Sequence, residues 1–502
     1  MSGLRTFHLA GLGLGVLLAG CQVGPDFQSP DAKAPDVWRA GPSAATDIKS
    51  HVVSDTIDAA WWGAFGDPLL NDLEQRAGQS NLSIAASAQR IVQSRAIRAV
   101  AGADAVPSLD ANASYERQRV SANGQLASIA KGNGRSIRSG DIWQFGFDAS
   151  WELDLWGRVA RNIEASDASL EASLQDHRDV VLAVRAEIAR NYVDLRRIQA
   201  TLALNRELAG TASHILKLVA NRSTGGTATG IDVANARSLL ERIDADNPRL
   251  EQEQEQAINA IDLLLGEQPG TLRPTLIETG PVPPVPSQVP IGLPSDLARR
   301  RPDIRRAEAQ LHAATAEIGV AEGAFYPRIT LSGDASLQAM QFHDLGDWSS
   351  RQFGIGPGVS LPIFQGGRLT GNLEFSKARE KEAAIAYHAA VLDAWREVDD
   401  KLAAYHGEQQ RNARLARTVE ADRRALSLAH DRFDGGVADF VSVLEARRTM
   451  LSNQQALAES QSTLATDLIG LYKALGGGWD DAAVTVPEAK LSQVTGSSDM
   501  TP

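Results

Sequence analysis

The stretch "QFGFDASWELDLWGR", residues 144 to 158, alternates with a period of two. Phe145, Phe147, Ala149, Trp151, Leu153 and Leu155 are apolar, whereas Gln144, Gly146, Asp148, Ser150, Glu152 and Asp154 are not. A strand points successive side chains to opposite faces, so this one has a greasy face and an acidic face. Its length suits a membrane-spanning strand of about 9–11 residues. A soluble sheet with one wet face shows the same alternation, so the pattern alone leaves both readings open.

Three more stretches alternate in the same way. Leu109, Ala111, Ala113 and Tyr115 interleave with Asp110, Asn112, Ser114 and Glu116. Ile329, Leu331, Ala335 and Leu337 interleave with Thr330, Ser332, Asp334, Ser336 and Gln338. Phe353, Ile355, Val359, Leu361 and Ile363 stand opposite Gly354, Gly356, Gly358 and Ser360. These strands form two pairs, about 107–156 and 327–366, because the chain repeats itself. "GRVARNIEAS" at 157–166 aligns with "GRLTGNLEFS" at 367–376. At the same offset "NRSTGGTATGIDVANAR" (221–237) meets "DRFDGGVADFVSVLEAR" (431–447). Repeat one carries extra residues between its strands, in a polar loop within 119–140.

Very long helices follow each pair. From Arg158 to about Arg222 there is no proline and one glycine, Gly210. Such a helix would measure about 95 Å at 1.5 Å per residue. Leu174, Val181, Ile188, Leu195, Leu202, Ala209 and Leu216 recur every seven residues, as coiled-coil packing requires. Val391, Val398, Tyr405, Val419, Leu426 and Phe433 repeat the pattern in the second half, with Asn412 in the gap. Gly225-Gly226 and Gly435-Gly436 end these helices, and new ones start near 231, interrupted near Pro248, and near 440. Tips are thus expected at about 221–231 and 431–441. Ala-rich helices over 69–105 and 303–325 precede the first strand of each pair and stop at Pro107 and Pro327.

The whole chain has 502 residues and a formal net charge of -12, which argues against nucleic acid as a partner. Past the first twenty residues no apolar run is long enough for a transmembrane helix. Residues 1–20 read as a signal peptide, with a short apolar core at Leu9–Gly20. Cys21 is the only cysteine, so an intrachain disulfide is impossible. No phosphate-binding loop, HExxH or Cys/His cluster appears. His177, His214, His388 and His430 are scattered along helices. No catalytic residue, metal or cofactor is therefore expected. The strand carboxylates share one face, which suits a pore lining better than paired acid–base chemistry.

Four strands cannot close, and an open sheet in lipid leaves unpaired N–H and C=O groups at its edges. The missing strands must come from further copies: eight, twelve or sixteen in all. An eight-stranded barrel is filled by its own side chains. Twelve or more leave a pore, lined here by Asp110, Glu116, Asp148, Glu152, Asp154 and Asp334.

The segments "LAGCQVGPDF", "WWGAFGDPLLNDL", "SWELDLWGR", "GLPSDLARRRPDIRRAEAQL", "AFYPRITLSG" and "LPIFQGGRL" resemble, in this order, the TolC-type outer-membrane efflux protein family. Within it they are most similar to the NodT/OprM-like lipoprotein branch. The resemblance covers roughly residues 17–476. It implies a mixed α and β fold: a homotrimer with a twelve-strand barrel and a long antiparallel α-helical periplasmic tunnel. It further implies the passive exit duct of a tripartite pump for small molecules such as drugs. The partners would be a periplasmic membrane-fusion adaptor and an inner-membrane transporter, of the RND type above others. "LAGC" resembles the bacterial lipobox, implying cleavage between Gly20 and Cys21, an S-diacylglycerol and N-acyl group on Cys21, and insertion among outer-membrane lipids of a Gram-negative cell.

By the same resemblance the family's constriction lies at the second tip, near Val441 and Glu445. Asp439 and Glu445 follow that turn, and Arg222, Arg432 and Arg447 are close enough in sequence to pair with them in a shut periplasmic gate; ordinary solvated helix charges are the alternative. The adaptor would meet Gly225, Gly226, Asp232, Gly435 and Gly436. The domain plan is signal peptide 1–20, lipidated extended arm 21–57, repeat one 58–276, Pro-rich linker 277–294, repeat two 295–476 and flexible tail 477–502. Metal export, type I protein secretion, and a lipid-anchored coiled-coil scaffold without a pore are the alternatives.

Overall fold

A computed structural model describes residues 22–39, 50–55, 57–119, 121 and 140–479. The expected signal peptide, the Gly20–Cys21 pair, most of the loop 119–140 and most of the expected tail lie outside the described residues. The chain divides into two compact units. Their elements, in chain order, are β1 (His51–Val53), α1 (Pro68–Ser80), α2 (Leu82–Ala103), β2 (Ser108–Gln118), β3 (Gly140–Leu153), α3 (Arg158–Thr224), α4 (Gly230–Leu264), β4 (Gln288–Pro290), α5 (Pro302–Gly323), β5 (Arg328–Ala339), β6 (Arg351–Ser360), α6 (Arg368–Asp434) and α7 (Phe440–Ala474). A few single helical turns lie between them. The two halves match in length: α3 and α6 have 67 residues each, α4 and α7 have 35 each.

The first unit, Met1–Pro30, Val92–Ala172 and Glu308–Ala386, holds an antiparallel sheet in the order β2-β3-β5-β6. Its N-terminal stretch is docked on the start of α3 and on α5. Val23 N–H donates to the Trp156 carbonyl at 3.0 Å, and Phe27 stacks on His312 with ring centroids 4.4 Å apart. Arg161, with its side chain buried, pairs with Asp26 at 2.6 Å and Glu164 at 2.8 Å.

Among its described residues the second unit, Asp31–Ile91, Ser173–Ala307 and Tyr387–Pro502, is mainly helical, with one two-stranded ribbon. Its core gathers the heptad seams: Ile188, Leu195 and Leu202 of α3 and Val391, Val398 and Tyr405 of α6 are all buried. Trp61 stacks on Tyr472 at 5.3 Å, and the Tyr192 hydroxyl donates to Asp67 Oδ2 at 2.7 Å.

Several local features differ from the sequence reading, each for a physical reason. The helix expected over 69–105 breaks at Asn81. That side chain accepts from the Ser83 and Ile84 N–H groups and donates to the Leu264 carbonyl at 2.7 Å. Conversely, α4 runs straight through Pro248. Asn205 of α3 donates to the Ile243 carbonyl at 3.0 Å and to Asn247 Oδ1 at 2.9 Å, tying the turn before the proline to α3. The Pro-rich linker is tied down: its β4 pairs in parallel with β1 of the N-terminal arm. Trp479, expected in the tail, is packed; its indole donates to the Arg300 carbonyl at 3.1 Å and lies under Arg178.

Glu74 of α1 is buried, and neither carboxylate oxygen has a hydrogen-bond partner. Burial pushes its pKa well above the usual carboxylate range, against the opposing charge of Arg185. An acid whose folded-state pKa is raised destabilises the fold as pH climbs from the ordinary carboxylate range through that raised value. Glu74→Gln keeps the shape and removes the ionisation. It should stabilise the protein by about 1–3 kcal/mol at about pH 8 and by little near pH 4. Thermal melts at the two pH values check this; equal shifts at both would assign the effect to something other than charge.

Candidate functional site

The register divides the sheet cleanly. Asp110 sits opposite Asp148, Asp148 opposite Asp334, and Asp334 opposite Gly354, so one transverse row carries three carboxylates. Like charges directly opposite each other destabilise a sheet, so stability alone does not account for this row. Asn112 donates to Asp148 Oδ2 at 2.5 Å, and a Cβ on Gly354 would come within 2.9 Å of Asp334 Oδ1. The neighbouring positions on this face are Ser114, Gln144, Ser150, Thr330 and Ser332. Glu116, nearer the hairpin end, faces Ile142.

Two of the sequence-predicted lining residues have other partners. Glu152 is held by Arg158 at 2.8 Å and Arg328 at 3.4 Å. Asp154 accepts the Ala160 N–H at 2.8 Å and so caps the start of α3. Both belong to the strand-to-helix junction, where a carboxylate suits the helix N-terminus.

The opposite face is apolar over most of its length and largely exposed, with Arg117, Asp141 and Arg351 at its hairpin end. Phe353 is 84% exposed, Ile355 83% and Leu109 70%. Aromatic rings collect at both ends of the strands: Tyr115 and Trp143 lie 4.3 Å apart at the hairpin end, Trp156 and Tyr326 5.0 Å apart at the helix end. Along β3, Trp143 and Trp151 share this face and are separated by about 27 Å at 3.4 Å per residue. That matches an apolar band of about 25 Å between two aromatic girdles. Among the described residues β2 pairs only with β3, and β6 only with β5, so the sheet has two free edges.

At the far ends of the helices the two tips are built alike. Gly226 (φ 75°) and Gly436 (φ 72°) take the left-handed conformation that ends a helix cheaply only with glycine. Thr227 N–H then donates to the Arg222 carbonyl at 2.8 Å, and Val437 N–H to the Arg432 carbonyl at 2.9 Å. Thr229 and Asp232 form a reciprocal capping box at the start of α4, and hydrogen bonds from Thr229 hold the Asp232 carboxyl below its usual range. Asp439 caps α7 by accepting the Val441 N–H at 3.3 Å.

Two ion pairs join the hairpins within one chain. Arg222 meets Asp439 at 2.5 Å, and Arg447 meets Glu207 at 2.8 Å. The hydrogen bond from Arg222 is the first cause holding the Asp439 carboxyl below its ordinary range. Arg432 gives the turn its carbonyl, and Glu445 stands exposed on α7 with its backbone carbonyl accepting from Thr449. Glu207 was missed by sequence reasoning. It lies well before the turn, and only the two-hairpin packing brings it to Arg447.

Among the described residues no His, Cys, Asp or Glu group could hold a metal ion, and no helix is long and apolar enough to cross a membrane. His177 is hydrogen-bonded to Ser87 at 2.7 Å within a helix interface, where burial lowers its pKa.

An apolar sheet face left open to its surroundings, backed by an acidic one, is the wall of a membrane channel rather than half of a soluble core. Comparison with known proteins gives the class: the chain belongs to the outer membrane efflux protein family, whose model matches residues 73–267 and 293–477. Members of this family are transport ducts, not enzymes. The chain is 32% identical over 476 residues to outer membrane protein OprJ of Pseudomonas aeruginosa, covering 95% of this chain and 96% of OprJ. It is likewise 32% identical to the toluene efflux pump outer membrane protein TtgI of Pseudomonas putida, over 92% of this chain and 97% of TtgI. Among solved structures it matches the outer-membrane channel OprN with a TM-score of 0.82 and 31% identity, covering 91% of this chain and all (100%) of that one. The open state of the Neisseria gonorrhoeae MtrE outer membrane channel matches with a TM-score of 0.75 and 26% identity, over 91% and 98%.

Proposed function

We propose that three copies of this chain close a twelve-strand barrel and serve as the exit duct of a tripartite pump for small molecules. The observation that carries this is the sheet itself: four strands, two free edges, and an apolar face aligned between aromatic girdles. In lipid each unpaired edge group costs several kcal/mol, so the edges must meet further copies. Eight strands would leave no lumen for the acidic row, and the family resemblance supports twelve over sixteen. The hairpins β2–β3 and β5–β6 face outside the cell, because the helices that enter and leave each strand pair occupy the other end. The long hairpins α3–α4 and α6–α7 line the periplasmic tunnel. A membrane-fusion adaptor meets their tips, and an RND-type inner-membrane transporter supplies energy and selects cargo. A relative of Pseudomonas aeruginosa at 32% identity is named for pyoverdine export, and TtgI for toluene efflux, as expected when the duct itself is permissive. The resting channel is shut at the tips, and acyl groups on Cys21 add a second anchor to the barrel's own apolar belt.

Purified protein in a planar bilayer should show discrete ion-conducting channels, and cells carrying Cys21→Ser should lose palmitate label from this protein. Silence in the bilayer for both the wild type and tip-mutated protein would favour a poreless scaffold. Label persisting in the variant would remove Cys21 as the acceptor.

A further inference from the structure

At the hairpin end of the apolar face lies a cleft of about 490 Å³, walled by Tyr115, Trp143, Phe145, Leu337, Phe342 and Leu345. Its size falls within the range of sites that hold discrete small ligands. Phe342 comes from the short turn between β5 and β6 and packs edge-on against Trp143 at 5.1 Å, so the cleft is a built feature and not a flat stretch of belt. Two arginines stand beside it on the same outward face. Arg117 follows Tyr115 by two residues on β2, and Arg351 lies in the cross-strand row of Phe145 and Leu337. Both are exposed. Arg117 lies 3.8 Å from Asp141, and Arg351 rests over the Trp348 ring at 4.3 Å. Arg117 lies past the Trp143 level and Arg351 one row inside it, from where its long side chain extends the charged end towards the headgroup layer. A guanidinium there binds phosphate through paired, charge-assisted hydrogen bonds.

We propose that this cleft is a binding site for a phosphorylated glycolipid of the outer leaflet, with an acyl chain along the aromatic wall and phosphates on Arg117 and Arg351. The charge pattern selects this occupant over a neutral lipid. The several acyl chains of such a lipid fit a wall that opens onto the belt better than one soluble anion would. The inference rests on the outward placement of the hairpins argued above.

The test uses the full-length protein purified from outer membranes and reconstituted in phosphatidylethanolamine–phosphatidylglycerol nanodiscs with added bisphosphorylated lipid A. Native mass spectrometry should find lipid A retained through detergent exchange that strips phosphatidylglycerol. Arg117→Gln with Arg351→Gln should lower its occupancy about tenfold or more, the loss expected from removing two charge-assisted contacts. Equal retention in the double variant, or phosphatidylglycerol retained as well as lipid A, would overturn the site. The assembled state of each sample, read in the same spectra, separates a binding defect from a folding defect. Arg117→Lys with Arg351→Lys, which keeps the charge, should regain part of the occupancy. Planar-bilayer conductance on the same preparations keeps the two readings apart: channels that conduct but retain no lipid A sink this site alone, and absence of conductance sinks the channel reading.

Discussion

Removing Arg222 and Arg447 together, as the double alanine variant, is expected to raise single-channel conductance and to sensitise cells to large antibiotics at unchanged protein level. The two side chains supply the ion pairs printed into the tips, Arg222–Asp439 and Arg447–Glu207. All four groups are close to half exposed, so each pair contributes at most about 1 kcal/mol after solvent screening. Together they bias each chain by at most about 2 kcal/mol, a factor of up to about 30 between shut and open. Glu445→Ala is the informative control. Its carboxylate is exposed on α7 and makes neither pair, so an effect from that change alone would have to arise between chains around the threefold axis. The pH dependence has a definite sign. Asp439 has a lowered folded-state pKa, so its contribution is present above the ordinary carboxylate range and is lost only as pH falls through the lowered value. Conductance should therefore stay flat from about pH 8 to about pH 5. A double variant with wild-type conductance would place the constriction elsewhere and leave these groups as surface charge.

The second large effect is expected in the barrel. Asp110, Asp148 and Asp334 occupy one row across three strands, and a trimer would set three such rows around the lumen. A low-dielectric wall focuses their field, so the open channel should prefer cations. Asp110→Asn, Asp148→Asn and Asp334→Asn combined should bring the reversal potential in a salt gradient close to zero. The same change removes like charges from opposed positions and should raise the melting temperature of the assembly. Selectivity unchanged in the triple variant would show that current is filtered at another level of the duct.

Much of this architecture is legible in the sequence because the strands carry a period of two and the helices a period of seven over long, unbroken runs. That Asp110, Asp148 and Asp334 share one face follows from those patterns, whereas their standing directly opposite one another is fixed by the strand pairing. What stays hidden is set by contacts between segments distant in sequence. Asn81 breaks a helix because its side chain bonds to the end of α4, and the turn before Pro248 is tied to another helix by Asn205. Glu152 and Asp154 read as lining residues by parity alone. Their position beside Arg158 and the first turn of α3 gives them to the junction instead. At the tips, Arg222 and Arg447 are recognisable as charges near a turn, but their partners are fixed by how the two hairpins meet.

β6 reads "RQFGIGPGVS", with three glycines and Pro357 in ten residues. Glycine and proline are among the weakest strand formers, and proline within sheets is confined to edges or irregular positions. In the proposed trimer this strand would be, before assembly, the exposed border of an unfinished sheet, the kind of border that recruits stray strands into aggregates. A border with few β-branched residues and a missing donor is a poor template for such misassociation. On the proposed route to the outer membrane, this composition would protect the chain before assembly and leave correct pairing to a partner border already held in register by the rest of the protomer.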